Sequence, residues 1–301
     1  MESHIPSRWP GLLAVSGWDM CGRYASARKR QELLEEFRVQ ADHVGESLEP
    51  DYNVAPTKPV YGVLARRERD GVPGGEATGH VSPSAAARQP EAQPRGGGHQ
   101  SVTRQLRVLR WGLVPYWAKD PSLGSKLINA RAETVAVKPA FRRAFARRRC
   151  LLPADGYYEW QAGAAVGGRV RKRPFFVSPS AGNVLALAGL YELWRVPDLP
   201  ADDPDAWLWT ATIITTRATH ELGQLHDRMP MVVARDRWTE WLDPAHTDPD
   251  DLRDLLVPAA SANLDARPVS PAVNNVRNNE PGLIEPAPSG EDPSEAPASL
   301  F

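Results

Sequence analysis

The sequence predicts an α+β fold built on a curved, largely antiparallel β-sheet with short flanking helices. Three observations carry this. Short segments rich in Val, Ile, Leu and aromatic residues recur from Val60 to Thr216, bounded by Gly, Pro and Asp. Helical periodicity is confined to a few short stretches. Those stretches do not alternate with the strands, as a doubly wound parallel sheet would require.

Taken in order, Arg28–Phe37 places Leu33, Leu34 and Phe37 on one helical face. Tyr52-Asn53-Val54-Ala55-Pro56-Thr57 reads as an extended turn, because proline biases its predecessor away from helix. Val60–Ala65 reads as a strand. Arg66–Gln105 is Gly, Pro, Ser, Ala and charge, including Gly96-Gly97-Gly98, and is expected to be a disordered insertion between two paired strands. Leu106–Val114 resumes strand character and runs into Pro115-Tyr116-Trp117. Pro139–Arg148 is helical, with proline in its first turn and Phe141 and Phe145 on one face. Cys150-Leu151-Leu152-Pro153, Tyr157–Trp160, Phe175–Val177, Val184–Leu190 and Trp209–Thr216 read as strands, and Arg235–Leu242 and Pro249–Leu256 as short helices. The chain divides into a leader or misassigned start (1–19), one domain (20–286) and a flexible acidic, Pro-rich tail (287–301).

With 42% hydrophobic residues among 301, the chain can bury a substantial core. Two cysteines, Cys21 and Cys150, make no disulfide framework, and residues 1–19 lack the apolar run of a secretory signal. A reducing, cytoplasmic setting is expected, and no segment approaches the ~18 apolar residues of a membrane span. No CxxC, HxxxH, HExxH, Walker, GxGxxG or GxSxG spacing occurs, so neither a metal nor a cofactor is expected. The net charge of −1 hides an asymmetry: Glu280–Phe301 carries five acids and no base, leaving +4 on the remainder. Lys138, Arg142, Arg143, Arg147, Arg148 and Arg149 cluster without an acid between them, and Arg169, Arg171, Lys172 and Arg173 form a second group. Such patches suit a polyanion, whose phosphates release counterions on neutralisation, although a solvated basic helix face has the same composition.

Met20-Cys21-Gly22-Arg23-Tyr24 is the most telling segment. If translation starts at Met20 and the methionine is removed, Cys21 presents a thiol and an α-amine on adjacent carbons. That 1,2-aminothiol condenses with aldehydes to a thiazolidine, and an α-amino pKa of about 7.7–8.0 leaves it partly available near neutrality. Left internal, Cys21 reads as a small, partly buried thiol. Asn129, Glu159 and His226 are the other candidates for chemistry, with Arg23 and Arg131 as anion-binding forks. A carboxylate shuttles protons during amine attack, a histidine protonates a sugar ring oxygen, and an amide orients the amine. Each also has a plainer reading: Asn129 as a helix cap, Glu159 on a surface strand, and His226 in a solvated turn.

The motifs in order are Met20-Cys21-Gly22-Arg23-Tyr24, Tyr52–Thr57, Trp111-Gly112-Leu113-Val114-Pro115, Asn129–Thr134, Cys150–Trp160, Ala188-Gly189-Leu190-Tyr191, His226-Asp227-Arg228-Met229-Pro230 and Val273–Arg277. This series resembles the SRAP family, the SOS-response-associated peptidase or abasic-site processing domains, over about Met20 to Pro286. The resemblance implies a single SRAP-like, barrel-like domain whose N-terminal Cys21 forms a thiazolidine with the aldehyde of an abasic site in single-stranded DNA. It implies that Asn129 orients the amine, Glu159 moves protons, and His226 assists ring opening and reversal. Arg23 and Arg131 would hold flanking phosphates. Trp111, Trp117 and Trp160 would stack on bases, while Arg142 and Arg143 would extend the DNA contact. A monomer acting in the DNA-damage response, nucleoid-associated when bound, is expected, with self-cleaving peptidase and lyase side activities. The alternative is a non-covalent single-stranded DNA-binding module in which Cys21 is structural.

Overall fold

The computed structural model describes residues 22–67, 102–166, 169–200, 202–203, 205–219, 222–259 and 264–287. The leader, Cys21, the interior of the insertion and most of the acidic tail lie outside the described residues. The strands are β1 (Tyr24–Ser26), β2 (Ala41–Asp42), β3 (Asp51–Val54), β4 (Pro59–Arg67), β5 (Val102–Trp111), β6 (Asn129–Arg131) and β7 (Arg149–Ala154). There follow β8 (Gly156–Val166), β9 (Arg169–Pro179), β10 (Leu185–Arg195), β11 (Trp207–Arg217), β12 (Arg228–Pro230) and β13 (Leu264–Pro268). The α-helices are α1 (Arg30–Glu36), α2 (Arg142–Arg147), α3 (Trp238–Leu242) and α4 (Pro249–Arg253). None of them is long and apolar enough to cross a membrane. The α+β reading holds: strands dominate and the helices are short.

Strands β11, β10, β7, β4 and β5 are hydrogen-bonded in that order. A parallel pairing of β5 with β11, at Thr210 opposite Arg110 and Ala211 opposite Trp111, closes them into a five-stranded barrel. Alternation along these strands separates two cores. Leu64, Leu109, Cys150, Leu152, Leu187 and Ile213 belong to one buried cluster. Val63, Leu151, Ala186, Ala188, Leu190 and Ile214 belong to the other, with Leu33 and Phe37 around α1 and Trp238, Trp241 and Leu242 of α3. Because both faces of β7 and β10 are covered, those strands read as unbroken apolar runs in the sequence. So narrow a barrel needs small residues inside it. At Gly189 a Cβ would lie 2.9 Å from the Cys150 sulfur and 3.2 Å from the Thr212 carbonyl oxygen.

A second sheet, in the order β13-β9-β8-β1-β3, packs Tyr158 and Phe176 against Val269, Val273 and Leu283. Its strand β1 enters beside β8, with Tyr24 opposite Tyr157, and Tyr158 N–H donates to the Arg23 carbonyl at 3.0 Å.

Several boundaries differ from the sequence reading. Strands β4 and β5 reach into the expected insertion, to Arg67 and from Val102, because their charged residues still pair in register from Pro59–Arg110 to Arg67–Val102. Asp51–Val54 is a strand, since β1 pairs with it. Helix α1 starts at Arg30, after an extended Lys29, and Arg28 instead bonds Asp155 at 2.8 Å.

The basic cluster is partly internal. Arg149 is 3% exposed and donates to the carbonyls of Phe145, Ala146, Trp241, Asp243 and His246, so burial lowers its pKa to about 10. Arg148 pairs with buried Glu192. Only Lys138, Arg142, Arg143 and Arg147 of that run are exposed.

The turn after β5 delivers the chain toward β6 through a close backbone crossing. Gly112 has φ +124°, and a Cβ there would lie 2.7 Å from the Gly124 carbonyl oxygen. Its N–H donates to Ala211 at 2.7 Å, locking the crossing to the barrel seam. Gly112→Ala therefore combines backbone strain with a clash and is expected to cost about 1–3 kcal/mol. Urea unfolding checks this: the midpoint falls while the slope is unchanged.

Candidate active site

The site forms where β11 runs out of the barrel. Strand β6 pairs with it in parallel, placing Asn129 opposite Ile213 and Arg131 opposite Thr215. On the other edge β12 pairs antiparallel, with Pro230 opposite Thr215 and Arg228 opposite Arg217. Two segments almost a hundred residues apart thus meet across one strand. A salt bridge joins them: Arg228 Nη1 and Nη2 lie 2.5 and 3.1 Å from the two carboxylate oxygens of Glu133, and Nη2 also donates to the Thr215 carbonyl at 2.6 Å. The hydrogen bonds from Arg228 hold the Glu133 carboxyl below the ordinary carboxylate range. Around this pair opens a cleft of about 1180 Å³ lined by Arg131, Glu133, Arg217, Gln224, His226 and Asp227, among others.

His226 stands at its wall, half-buried. Its Nδ1 lies 3.0 Å from the Arg228 backbone N–H and 3.0 Å from Asp227 Oδ1. Strand β8 touches the cleft-lining Gln224 through Gln161. Tyr157, Glu159 and Gln161 share one face of it by strand alternation. Tyr157 packs in the cluster that holds Leu222 and Met229, and Gln161 Nε2 reaches the Gln224 carbonyl at 3.4 Å. Glu159, between them, is 5% exposed and faces the same side. Of the three expected catalytic residues, His226 lines the cleft, while Asn129 lies on β6 and Glu159 on β8. The N-terminal end of β1 runs antiparallel to β8 in the direction of Glu159.

The other expected residues divide. Arg131 is exposed at the cleft. Arg23 is not a second such fork, which corrects that expectation. It is 6% exposed, and its Nη1 donates to Asn53 Oδ1 at 2.8 Å and the Val273 carbonyl at 2.9 Å. Asn53 in turn donates to the carbonyls of Val273, Asn275 and Asn278, so Arg23 and Asn53 pin the Val273–Arg277 loop to the sheet. Trp160 braces that loop too, donating to Asn274 Oδ1 at 2.7 Å with the Arg23 guanidinium 5.9 Å from its ring centre. Trp111 is a further correction. It is wholly buried, edge-on to Tyr24 at 5.2 Å, and donates to the Ile128 carbonyl, so it offers no face to a base. Trp117 and Tyr116 are half exposed, and Arg143 lies 4.2 Å over the Tyr116 ring, while Arg142 is exposed alongside. Sequence reasoning missed Arg217 and Arg228 as cleft residues. The register of β12 with β11 places them, and no local motif encodes that register.

A family model described as SOS response associated peptidase (SRAP) matches residues 20–276. The chain belongs to the SRAP family. It is 35% identical over 266 residues to the abasic site processing protein YoqW of Bacillus subtilis, covering 88% of this chain and 99% of that protein. It is 32% identical over 216 residues to the abasic site processing protein HMCES of Mus musculus, covering 62% of this chain and 58% of that relative. Among solved structures, a protein from Bacteroides thetaiotaomicron aligns with a TM-score of 0.65 at 20% identity, over 89% of this chain and all of that one, a likeness of fold. In this SRAP chain the matched span takes in every element that frames the cleft.

Because Glu133 is depressed in the folded state, its contribution to stability is present above the usual carboxylate pKa of about 4.3 and is lost as pH falls through the lower, folded value. Its side chain is 45% exposed, so solvent screening limits the pair to about 1 kcal/mol. Glu133→Gln is expected to be less stable than wild type by that amount at pH 7. The difference should vanish at strongly acid pH in paired denaturant titrations.

Proposed function

We propose that this protein processes abasic sites by forming a covalent thiazolidine between Cys21 and the opened sugar of an abasic site in single-stranded DNA. The observation that carries the reading is the arginine-lined cleft with His226 at its wall, framed by the strand β6 that bears Asn129. Membership of the SRAP family, with relatives named for abasic-site processing, supports it. So does the start of the family match at Met20, the position from which methionine removal would free the Cys21 amine.

The steps balance as follows. His226 gives a proton to the ring oxygen as the bond from C1′ to that oxygen breaks, and the C1′ hydroxyl releases its own proton to water as it becomes the aldehyde. The Cys21 amine adds to C1′, and Glu159 carries protons from nitrogen to oxygen until water leaves and an imine remains. The Cys21 thiolate then adds to the imine carbon, the nitrogen takes a proton, and the five-membered ring closes with net loss of one water. Asn129 orients the amine by hydrogen bonding. Arg131, with Arg217 beside it, binds the flanking phosphates, and Trp117 with Arg142 and Arg143 extends the strand's path over the exposed aromatic–basic surface. Trp160 and Arg23 act through the loop they hold. The imine also admits elimination of the 3′ phosphate, which accounts for a weak lyase side reaction.

Intact mass after incubation with single-stranded DNA containing one abasic site tests this directly. A protein mass beginning at Cys21, and an adduct equal to protein plus DNA less one water, is the expected result. Cys21→Ser is expected to give no stable adduct; a stable adduct at wild-type yield overturns the thiazolidine. Glu159→Gln is expected to slow cross-linking by about 10²–10⁴-fold, the usual worth of general acid–base catalysis. If residues 1–20 are removed by the protein itself, Cys21→Ala retains them and wild type does not; retention in both sinks self-cleavage.

A further inference from the structure

Resting on that reading of His226, we propose that Asp227 is the positioning residue that makes His226 a proton donor and fixes which ring nitrogen delivers the proton. Two groups share His226 Nδ1. The Arg228 N–H and the Asp227 carboxylate each lie 3.0 Å from it. One nitrogen cannot serve both at once, because accepting from an N–H needs its lone pair and binding a carboxylate needs a proton on it. The two partners therefore belong to two protonation states. The neutral ring carries its proton on Nε2 and accepts from Arg228. The imidazolium carries a second proton on Nδ1 and gives it to Asp227.

Only the second state can act as an acid in ring opening, since a neutral imidazole that lost its Nε2 proton would be left as an anion. In the imidazolium, Asp227 retains the Nδ1 proton, so the proton that leaves is the one on Nε2, the nitrogen directed away from Asp227. The product is the neutral Nδ1–H ring, still bound to Asp227. Return to the Arg228-bonded form resets the site for another proton, as reversal of the cross-link requires.

Arg131 on β6, Arg217 on β11 and Arg228 on β12 line the cleft with the ring. Glu133 is committed to Arg228, which holds the Arg228 backbone in place through its side chain. Glu159 lies on β8 and is assigned to the amine. Among the described residues lining the cleft, that leaves Asp227 as the carboxylate in contact with the ring. Its side chain is 87% exposed, so its effect is that of a screened surface pair, about two- to fivefold in rate, and salt-sensitive.

The experiment compares wild type with Asp227→Asn and Asp227→Glu, all beginning at Cys21, on single-stranded DNA with one abasic site. Rates of cross-link formation and reversal are measured against pH at low and at high salt. In parallel, ¹⁵N-histidine-labelled free protein is titrated by NMR to follow the His226 ring nitrogens. Asp227→Asn is expected to react about two- to fivefold more slowly near neutrality, with the alkaline limb of its profile at lower pH. Asp227→Glu should recover most of the rate, and high salt should bring the profiles together. In the alkaline protein the proton should sit on Nε2. Superimposable profiles for Asp227→Asn and wild type, or an Nδ1–H ring at alkaline pH, overturn the proposal. Should wild type form no adduct, the thiazolidine reading fails. The ring titration then decides the Asp227 pairing by itself: a wild-type curve unmoved by Asp227→Asn refutes it.

Discussion

The hydrogen bonding of β11 is the constraint on which the rest depends, because each of its edges is served by two strands in succession. Along one edge β10 covers Trp207 to Ile213 and β12 takes over from Thr215 to Arg217. Along the other, β5 covers Thr210 and Ala211, and β6 takes over from Ile213 to Thr215. The first pair of partners closes the barrel and the second builds the cleft. Thr210, Thr212 and Thr215 are buried along this seam. Thr210 accepts from the Val114 N–H, and Thr215 accepts from Arg228 through both its hydroxyl and its carbonyl. A strand shared in this way cannot slip by one residue without exchanging Ile213 and Ile214 between the two cores and dismantling both sides of the site at once.

Arginine does two separate jobs in this protein, and burial tells them apart. Arg149 gathers five carbonyls where the end of α2 meets the segment after α3, and Arg23 and Arg228 each tie a loop or strand end to a sheet. A buried guanidinium left without acceptors is costly, whereas its planar fork satisfies several divergent carbonyls better than any other side chain. Arg131, Arg142, Arg143, Arg147 and Arg217 remain exposed and supply the positive surface. Local sequence cannot separate these roles: Arg147, Arg148 and Arg149 are consecutive, yet one is exposed, one ion-paired and one sealed in the core.

The same distinction explains what was legible beforehand. Apolar runs such as Cys150–Pro153 and Val184–Leu190 announced strands because both their faces are buried. The α+β class followed from their number and from the scarcity of helices. Strand ends composed of charge, as in Arg66, Arg67 and Arg104, looked like loop because their partners across the hairpin, not their composition, hold them extended. At the site, motifs name Asn129, Glu159 and His226, and the structure sets His226 at the wall of the cleft. Trp111 was misjudged because aromatic character does not reveal burial. Arg217 and the Glu133–Arg228 bridge were invisible because they exist only through the β11 register.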